Sequence, residues 1–507
     1  MMRFNKSDVI LCLGVLPLLF VPVWMGAGTF RPWQGSFIPL SIWAWICFWA
    51  APAARDFPSR RNRLIRLLKD PCLWGALLFL MLLGVQTWNS GRMLLYHFRL
   101  NVYYYSPPPH PYLPGSFTRR ESLEMLRWFI PVFSTFLIAK HALPVLVPRA
   151  FNWILLNSGL NAILALTHEF AGWHYMYEFW GWVKNPRDAG ADTYGSFGYP
   201  NHAATYFILL FSFAAGLFLR EVLQDRSRIR TLRLTAGGTL AILFFFTAQF
   251  SASRAGMLGV WFVLALLTAT LAILAWPRLH PVQRLYGIAG MIFLLCILIA
   301  GFRTLANPVH LREFAKATTE LDLGREVGAR FFQVQSAWDI WKEHPWFGVG
   351  GWGYRYLVSF YLDPSMWGVL NRGKANVHND FFQFLCEFGL VGMVCLSMVF
   401  LPSVLRIVRD IRRPADHDQS LWGDPLRFST GFGLLLMIAH SMIDLPFRSP
   451  AVFAHAALFL VLASQWDGTL SVWPPVVDWL ALRPAVRLRG GSRKQHPPSA
   501  PATKIKP

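Results

Sequence analysis

Apolar runs of about twenty residues recur along the whole chain, and nothing else constrains its fold so tightly. A run of that length is what an α-helix needs to cross a bilayer. Within hydrocarbon only helices and closed barrels satisfy every backbone N–H and C=O. Runs are read at 8–27, 36–54, 72–88, 125–146, 151–168, 201–220, 234–250, 255–275, 285–301, 379–405, 428–444 and 449–466. The expected fold class is all-α, a polytopic membrane protein with about 12 transmembrane helices. Composition agrees: 54% of the 507 residues are hydrophobic and 15% charged, against roughly a quarter charged in soluble domains. A cleavable leader is not expected, since the first run lacks a small-residue cleavage site and further spans follow. Cys12, Cys47, Cys72, Cys296, Cys386 and Cys395 lie in or beside apolar runs without metal spacing and read as packing residues.

A formal charge of +21 raises the question of nucleic acid. The basic residues instead fall in short clusters between spans, the pattern of the positive-inside rule, so no nucleic-acid partner is expected. With Arg3 and Lys6 in the cytoplasm, alternation puts Arg55–Lys69, 140–150, Arg220–Arg233, 276–284, Arg406–Arg427 and the tail after Arg483 on that same side. Both termini are then cytoplasmic. Residues 1–301 hold nine spans with outer loops at 89–124 and 169–200, and 302–378 form a large outer loop. Residues 379–480 hold the last three spans, and 481–507 read as a disordered basic tail. Tyr103–Pro109, Pro111 and Pro114 predict an extended first loop. In the large loop, Val327, Phe331, Val334, Trp338 and Trp341 follow the spacing of an amphipathic helix. His344-Pro345 ends that helix and Gly348–Gly353 makes a turn. Such a helix would lie on the outer surface and roof a cavity.

The most informative stretch is Lys374–Gly392, where a polar segment meets an apolar helix. Asn379, Gln383 and Glu387 recur every four residues and share one helical face. Polar groups there face a protein interior or a water-filled cavity, and the helix start favours an anion. Two further cations stand out: Arg254, at the outer boundary between two spans, and Arg330, bordering the amphipathic stripe. Arg325 points nearly the opposite way. Each residue has a plainer reading: a snorkelling Arg254, helix-surface charges at Arg330 and Arg325, a backbone-satisfied His378. Together they suit one chemistry. Two guanidiniums can clamp a diphosphate by forked hydrogen bonds. An imidazole, with an ordinary pKa of ~6.5, can take a proton from a sugar hydroxyl. Arg355, Arg372 and Lys374 add positive charge nearby, or are solvated loop charges. Asp380 and Glu387 fall on different helix faces and read as structural, while Asp444 and Arg448 are expected to pair at an outer turn. No metal cluster, nucleotide fingerprint or nucleophilic serine elbow is present in the sequence, so neither metal nor cofactor is expected.

Four stretches resemble the O-antigen ligase and polymerase superfamily of bacterial inner-membrane enzymes. Gly195-Ser-Phe-Gly-Tyr-Pro200-Asn201 is similar to its Gly-x-Phe-x-x-Pro-Asn signature, and Ser253-Arg254-Ala-Gly256 to its Ser-Arg-Gly segment. Arg330 through Pro345-Trp-Phe-Gly348-Val-Gly350 resembles its Arg-…-Pro-Leu-x-Gly-Val-Gly stretch. His378-Asn379-…-Glu387-x-Gly389 resembles its His-Asn-x-x-Leu-x-x-x-x-Glu-x-Gly block, the most specific of the four. Ala255 and Phe382 depart from the pattern without removing a functional group. The resemblance covers about 195–450 and implies a C-type glycosyltransferase, helical throughout, with a large helical periplasmic loop over its cavity. It implies a donor glycan on polyprenyl (undecaprenyl) diphosphate, Arg254 and Arg330 holding the diphosphate, and His378 activating the acceptor, with inversion at the sugar. Asn379, Arg325, Arg355, Arg372 and Lys374 are then candidate substrate contacts. The acceptor stays open: a lipid A–core sugar (ligase), a growing repeat (polymerase) or a protein Ser/Thr (oligosaccharyltransferase). A transporter is the alternative of another class; it predicts internal repeats and broken spans near mid-membrane.

Overall fold

A computed structural model describes residues 6–29, 31–54, 57–171, 194–224, 230–251, 253–270, 320–361, 375–413 and 424–466. The expected span at 285–301, the tail 481–507, most of loop 169–200, and Arg372 and Lys374 lie outside them. Three short or apolar helices open the chain: α1 (Lys6–Trp24), α2 (Phe37–Ala50) and α3 (Arg60–Leu68). The next, α4 (Pro71–Trp88), starts on an Asp70 cap whose carboxylate accepts the Cys72 N–H, with proline at its first position. A hairpin, β1 (Leu94–His97) and β2 (Val102–Tyr105), leads to α5 (Arg119–Ala171). Then come α6 (Pro200–Gln224), α7 (Arg230–Gln249), α8 (Arg254–Thr270) and the loop helices α9 (Glu320–Glu343) and α10 (Tyr354–Tyr361). The last three are α11 (Asp380–Ile411), α12 (Pro425–Ser441) and α13 (Pro450–Gln465).

Seven helical segments among the described residues are long and apolar enough to cross a membrane, and two apolar helices are shorter. The chain is a multi-pass membrane protein. The two spans expected at 125–146 and 151–168 lie within the single helical run α5, whose halves 119–146 and 149–170 are each of membrane-crossing length. Their pairings reveal the halves' directions. Ser7 bonds to Pro52 and Trp43 to Leu13, so α1 and α2 run antiparallel. Gln34 meets Glu124 and Trp45 meets Ser134, so the first half of α5 follows α2. Asp8 pairs with Arg149 and Trp24 bonds Asn157, so the second half follows α1. The two halves therefore run in opposite directions. Pro144, which cannot donate to an i−4 carbonyl, lies just before the reversal.

These directions collect the ion pairs into two layers. At one end Asp8 meets Arg149, Asp70 meets Lys140 and His141, Glu221 meets Arg233, and Asp410 meets Arg427. Most of these residues belong to the basic clusters expected on one side, and this is called the basic end. Burying the pairs is tolerable because each charge has a partner. Between the layers lies an aromatic core in which Phe79, Phe129, Phe133, Phe388, Phe400 and Phe453 pack mostly edge-to-face or tilted. A second, smaller core at the opposite end joins Ala337 and Ile340 of α9 to Val349, Tyr354, Val358, Val377 and Cys386. The loop helix expected from the sequence is present, but the stripe read for it is not the face that packs: Phe331 and Trp338 are exposed, while Ala337 and Ile340, with Val334 beside them, fill the smaller core.

Candidate active site

A break in α11 organises the end opposite the basic layer. Gly389 sits at φ 64°, ψ −170°, a conformation open essentially to glycine alone. The helical ladder fails there, and the segment Pro345–Gly350 fills the gap. Leu390 and Val391 donate to the Pro345 and Trp346 carbonyls at 2.8 and 3.0 Å, and Val349 and Gly350 donate to those of Cys386 and Glu387 at 3.0 and 2.8 Å. Gln86, within a turn of the end of α4, adds a bond to the Phe347 carbonyl at 2.9 Å. The Gly348–Gly350 turn and Gly389, distant in sequence, form one backbone joint at the level where α4 ends. Gln383 bridges this joint to the helix start, donating to Glu387 Oε1 at 3.0 Å while its own oxygen accepts the Val377 N–H at 3.1 Å. The shared face of Asn379, Gln383 and Glu387 is buried inside the protein, as its spacing suggests.

Asn379 caps α11, its side-chain oxygen accepting the Phe382 N–H at 3.1 Å. His378, one residue earlier, is held at φ 53°, left-handed backbone that costs a non-glycine residue ~1–3 kcal/mol. That strain turns its ring toward the Met442–Leu445 turn between α12 and α13. Asn379 Nδ2 binds the Met442 carbonyl there at 2.9 Å, and Arg330 Nη1 binds the Ile443 carbonyl at 2.9 Å. His378 Nδ1 lies 3.6 Å from Asp444 Oδ1, an ion-pair distance too long for a formed hydrogen bond. The imidazole is 31% exposed while the Asp444 side chain is 2% exposed.

Asp444 is the centre of a wider polar set. Asn201 Nδ2 and the Tyr199 hydroxyl donate to its carboxylate, and its own Oδ1 accepts the Leu445 N–H at 2.8 Å. His440, one helical turn earlier, lies 4.0 Å away and accepts or donates at Thr205 through Nδ1. Burial alone would raise the Asp444 pKa; the facing His378, with His440 and His202, outweighs it and holds the carboxyl below the usual range. Burial and the Asp444 charge together push the Tyr199 phenol upward, so it stays a donor. The site is therefore a carboxylate that stays ionised, an imidazole facing it, and a guanidinium beside both.

Residues 239–397 match the O-antigen ligase family. Over that segment the chain is similar to O-antigen ligases. No curated protein matches the chain. The matched ligase segment takes in α8, the loop helices and the joint at Gly389, and with them Arg254, Arg330 and His378. Asp444, Tyr199 and Asn201 lie outside it, contributed by the start of α6 and by the turn between α12 and α13.

The structure brings His378, Arg330 and Asn379 together. Arg254 opens α8, where Gly256 packs on Ala204, one turn from Asn201; the side chains of Arg254 and Arg325 are not among those described. Arg355 is not at this turn. It pairs with Glu121 at 3.1 Å and stacks 3.9 Å over Trp352, because a half-buried guanidinium requires a counter-charge. Asp444 and Arg448 do not pair either. Arg448 points the other way to Glu387 Oε2 at 2.7 Å, between the rings of Trp352 and Phe384. Tyr199, Asn201 and His440 were not among the site candidates read from the sequence, and Asp444 was read only as the partner of Arg448. The signals were the His440–Asp444 spacing of four and Asn201 in the Pro-Asn signature.

Proposed function

We propose that the chain moves a glycan from a polyprenyl diphosphate carrier to a sugar hydroxyl, as an O-antigen ligase does. The observation that carries this reading is the meeting of Arg330, His378 and Asp444, far apart in sequence, at one turn away from the basic layer. Asp444 favours the imidazole tautomer with its proton on Nδ1, leaving Nε2 to accept the acceptor's hydroxyl proton. The freed oxygen attacks the anomeric carbon from the face opposite the leaving group. The C–O bond to the diphosphate breaks, and the configuration inverts. Arg330 spends one donor on the Ile443 carbonyl and keeps others for the departing diphosphate. Arg254 supplies the second fork, and the step uses no metal. With the basic clusters cytoplasmic, this site faces the periplasm of a bacterial inner membrane.

The transporter alternative fits less well. The break in α11 lies at the level where α4 ends, held there by Gln86, rather than near mid-membrane. Comparing lipopolysaccharide, free polymer and glycoproteins from a strain lacking the gene tests the reading and its acceptor. Loss of glycan from lipopolysaccharide, with donor accumulating, is the expected result. Shortened free polymer would assign polymerase activity, and loss confined to glycoproteins would assign protein transfer. No change in any of the three would defeat the proposal.

A further inference from the structure

The hairpin between α4 and α5 exposes apolar side chains in a way that water does not favour. Its register pairs Leu94 with Tyr105, Leu95 with Tyr104, Tyr96 with Tyr103 and His97 with Val102. In a strand pair with one face in water, polar residues alternate with apolar ones. Here neighbouring residues on both faces are apolar or aromatic and both faces are open. Tyr103 is 60% exposed, and the tip residues Phe98 and Leu100 are 87% and 66% exposed. A two-stranded hairpin alone is marginal in water, and among the described residues it packs on the protein through its base, Tyr105 against Phe117, Tyr356 and Phe360.

Its position is fixed by the end of a membrane-crossing helix. Trp88, the last residue of α4, is exposed and stacks on His110 at 4.7 Å. Buried Asn89 donates to the His110 and Leu113 carbonyls and accepts the His110 N–H, tying the proline-rich return to that helix end. Tyr112, at the apex of the return, is 97% exposed. Residues 89–120 contain no Asp or Glu but carry Arg92, Arg99, Arg119 and Arg120, the last three exposed. Aromatic rings and arginines without acids, beginning where a span ends, are the composition of a bilayer interface.

We propose that residues 93–113 are a membrane-surface anchor lying in the headgroup layer of the leaflet on the site's side. Apolar rings enter the acyl boundary and Arg99 meets lipid phosphates. The layer is the headgroup region and not the hydrocarbon core, because the hairpin's unpaired outer edges need polar partners. A bilayer boundary wets both faces of the hairpin, whereas a single protein partner covers one. The proposal rests on the membrane fold alone and is independent of the glycan-transfer reading.

The test places an environment-sensitive fluorophore on Phe98→Cys and, separately, on Tyr112→Cys in the full chain, reconstituted into phosphatidylethanolamine–phosphatidylglycerol vesicles. The described native cysteines are buried, and the unsubstituted chain labelled in parallel sets the background. Lys342→Cys, on an exposed loop-helix side chain, serves as the water reference. Labels at 98 and 112 are expected to emit to the blue of the label at 342. They should be quenched several-fold more by lipids with a shallow nitroxide than by aqueous iodide. Iodide quenching equal to that at 342 would overturn the proposal. So would protection from both quenchers, which would place a second copy or another protein over the hairpin.

Discussion

Replacing Gly389 by alanine would put a methyl group where the Trp346 backbone already lies. A Cβ built there is 2.4 Å from the Trp346 carbonyl carbon and oxygen and 2.5 Å from Phe347 N, all backbone atoms. No rotamer relieves that contact, so either the Pro345–Gly350 segment or the second part of α11 must move. The backbone conformation itself costs a residue with a side chain ~1–3 kcal/mol. Displacement also removes the Leu390–Pro345 and Val391–Trp346 bonds, each worth about 0.5–1.5 kcal/mol. The sum is about 4 kcal/mol, large against the marginal stability of folded proteins. Gly348→Ala should behave alike, because its Cβ would lie 2.4 Å from the Glu387 carbonyl carbon. Gly84→Ala is the control: it is helical with no heavy atom within 4 Å of the added carbon. Thermal unfolding of purified protein in detergent should show a fall of several degrees for Gly389→Ala and none for Gly84→Ala. Limited proteolysis should cut faster between α9 and α11 in the glycine-joint variants only. Wild-type unfolding and proteolysis of Gly389→Ala would refute the joint.

Arg330→Lys and Arg254→Lys should each lower kcat/KM for donor on the order of tenfold or more, since an ammonium cannot make the fork; steady-state transfer assays check this. Glu387→Gln strands the buried Arg448 guanidinium and should cost ~3–5 kcal/mol. Glu387→Met with Arg448→Met should cost less than the two single changes summed, which unfolding midpoints would reveal. The Asp444 carboxyl is held below its ordinary range, so its contribution is complete above the unfolded pKa of about 3.9. It is lost as pH falls through the lower folded value. The stability gap between wild type and Asp444→Asn should therefore narrow below about pH 4, in unfolding midpoints taken across that range.

The helical period made part of the site legible: Asn379, Gln383 and Glu387 share a face in sequence and in space. Arg330 was legible because it flanks an apolar stripe. Asp444 was not, since its nearest opposite charge along the chain is Arg448. The short 3-10 turn Pro446–Arg448 sends the two in different directions, toward Tyr199 and toward Glu387. The Glu121 partner of Arg355 lies 234 residues away and leaves no local trace. Likewise 379–405 reads as one uninterrupted apolar helix, because the break at Gly389 is made by a segment inserted from another part of the chain. Prolines 107–109 drew attention from the hairpin before them, although Asn101, at φ 53°, is a turn residue between two runs of strand-forming side chains.

The claim on which the rest depends is that His378 takes the acceptor's proton above a bound diphosphate. Its most direct test is release of polyprenyl diphosphate from a lipid-linked glycan by purified wild-type and His378→Ala protein, with the acceptor identified in the deletion strain. The variant should fold, bind the donor with wild-type affinity and release carrier at least a hundredfold more slowly, the scale of general-base catalysis. Wild-type release by a folded His378→Ala protein would contradict the account.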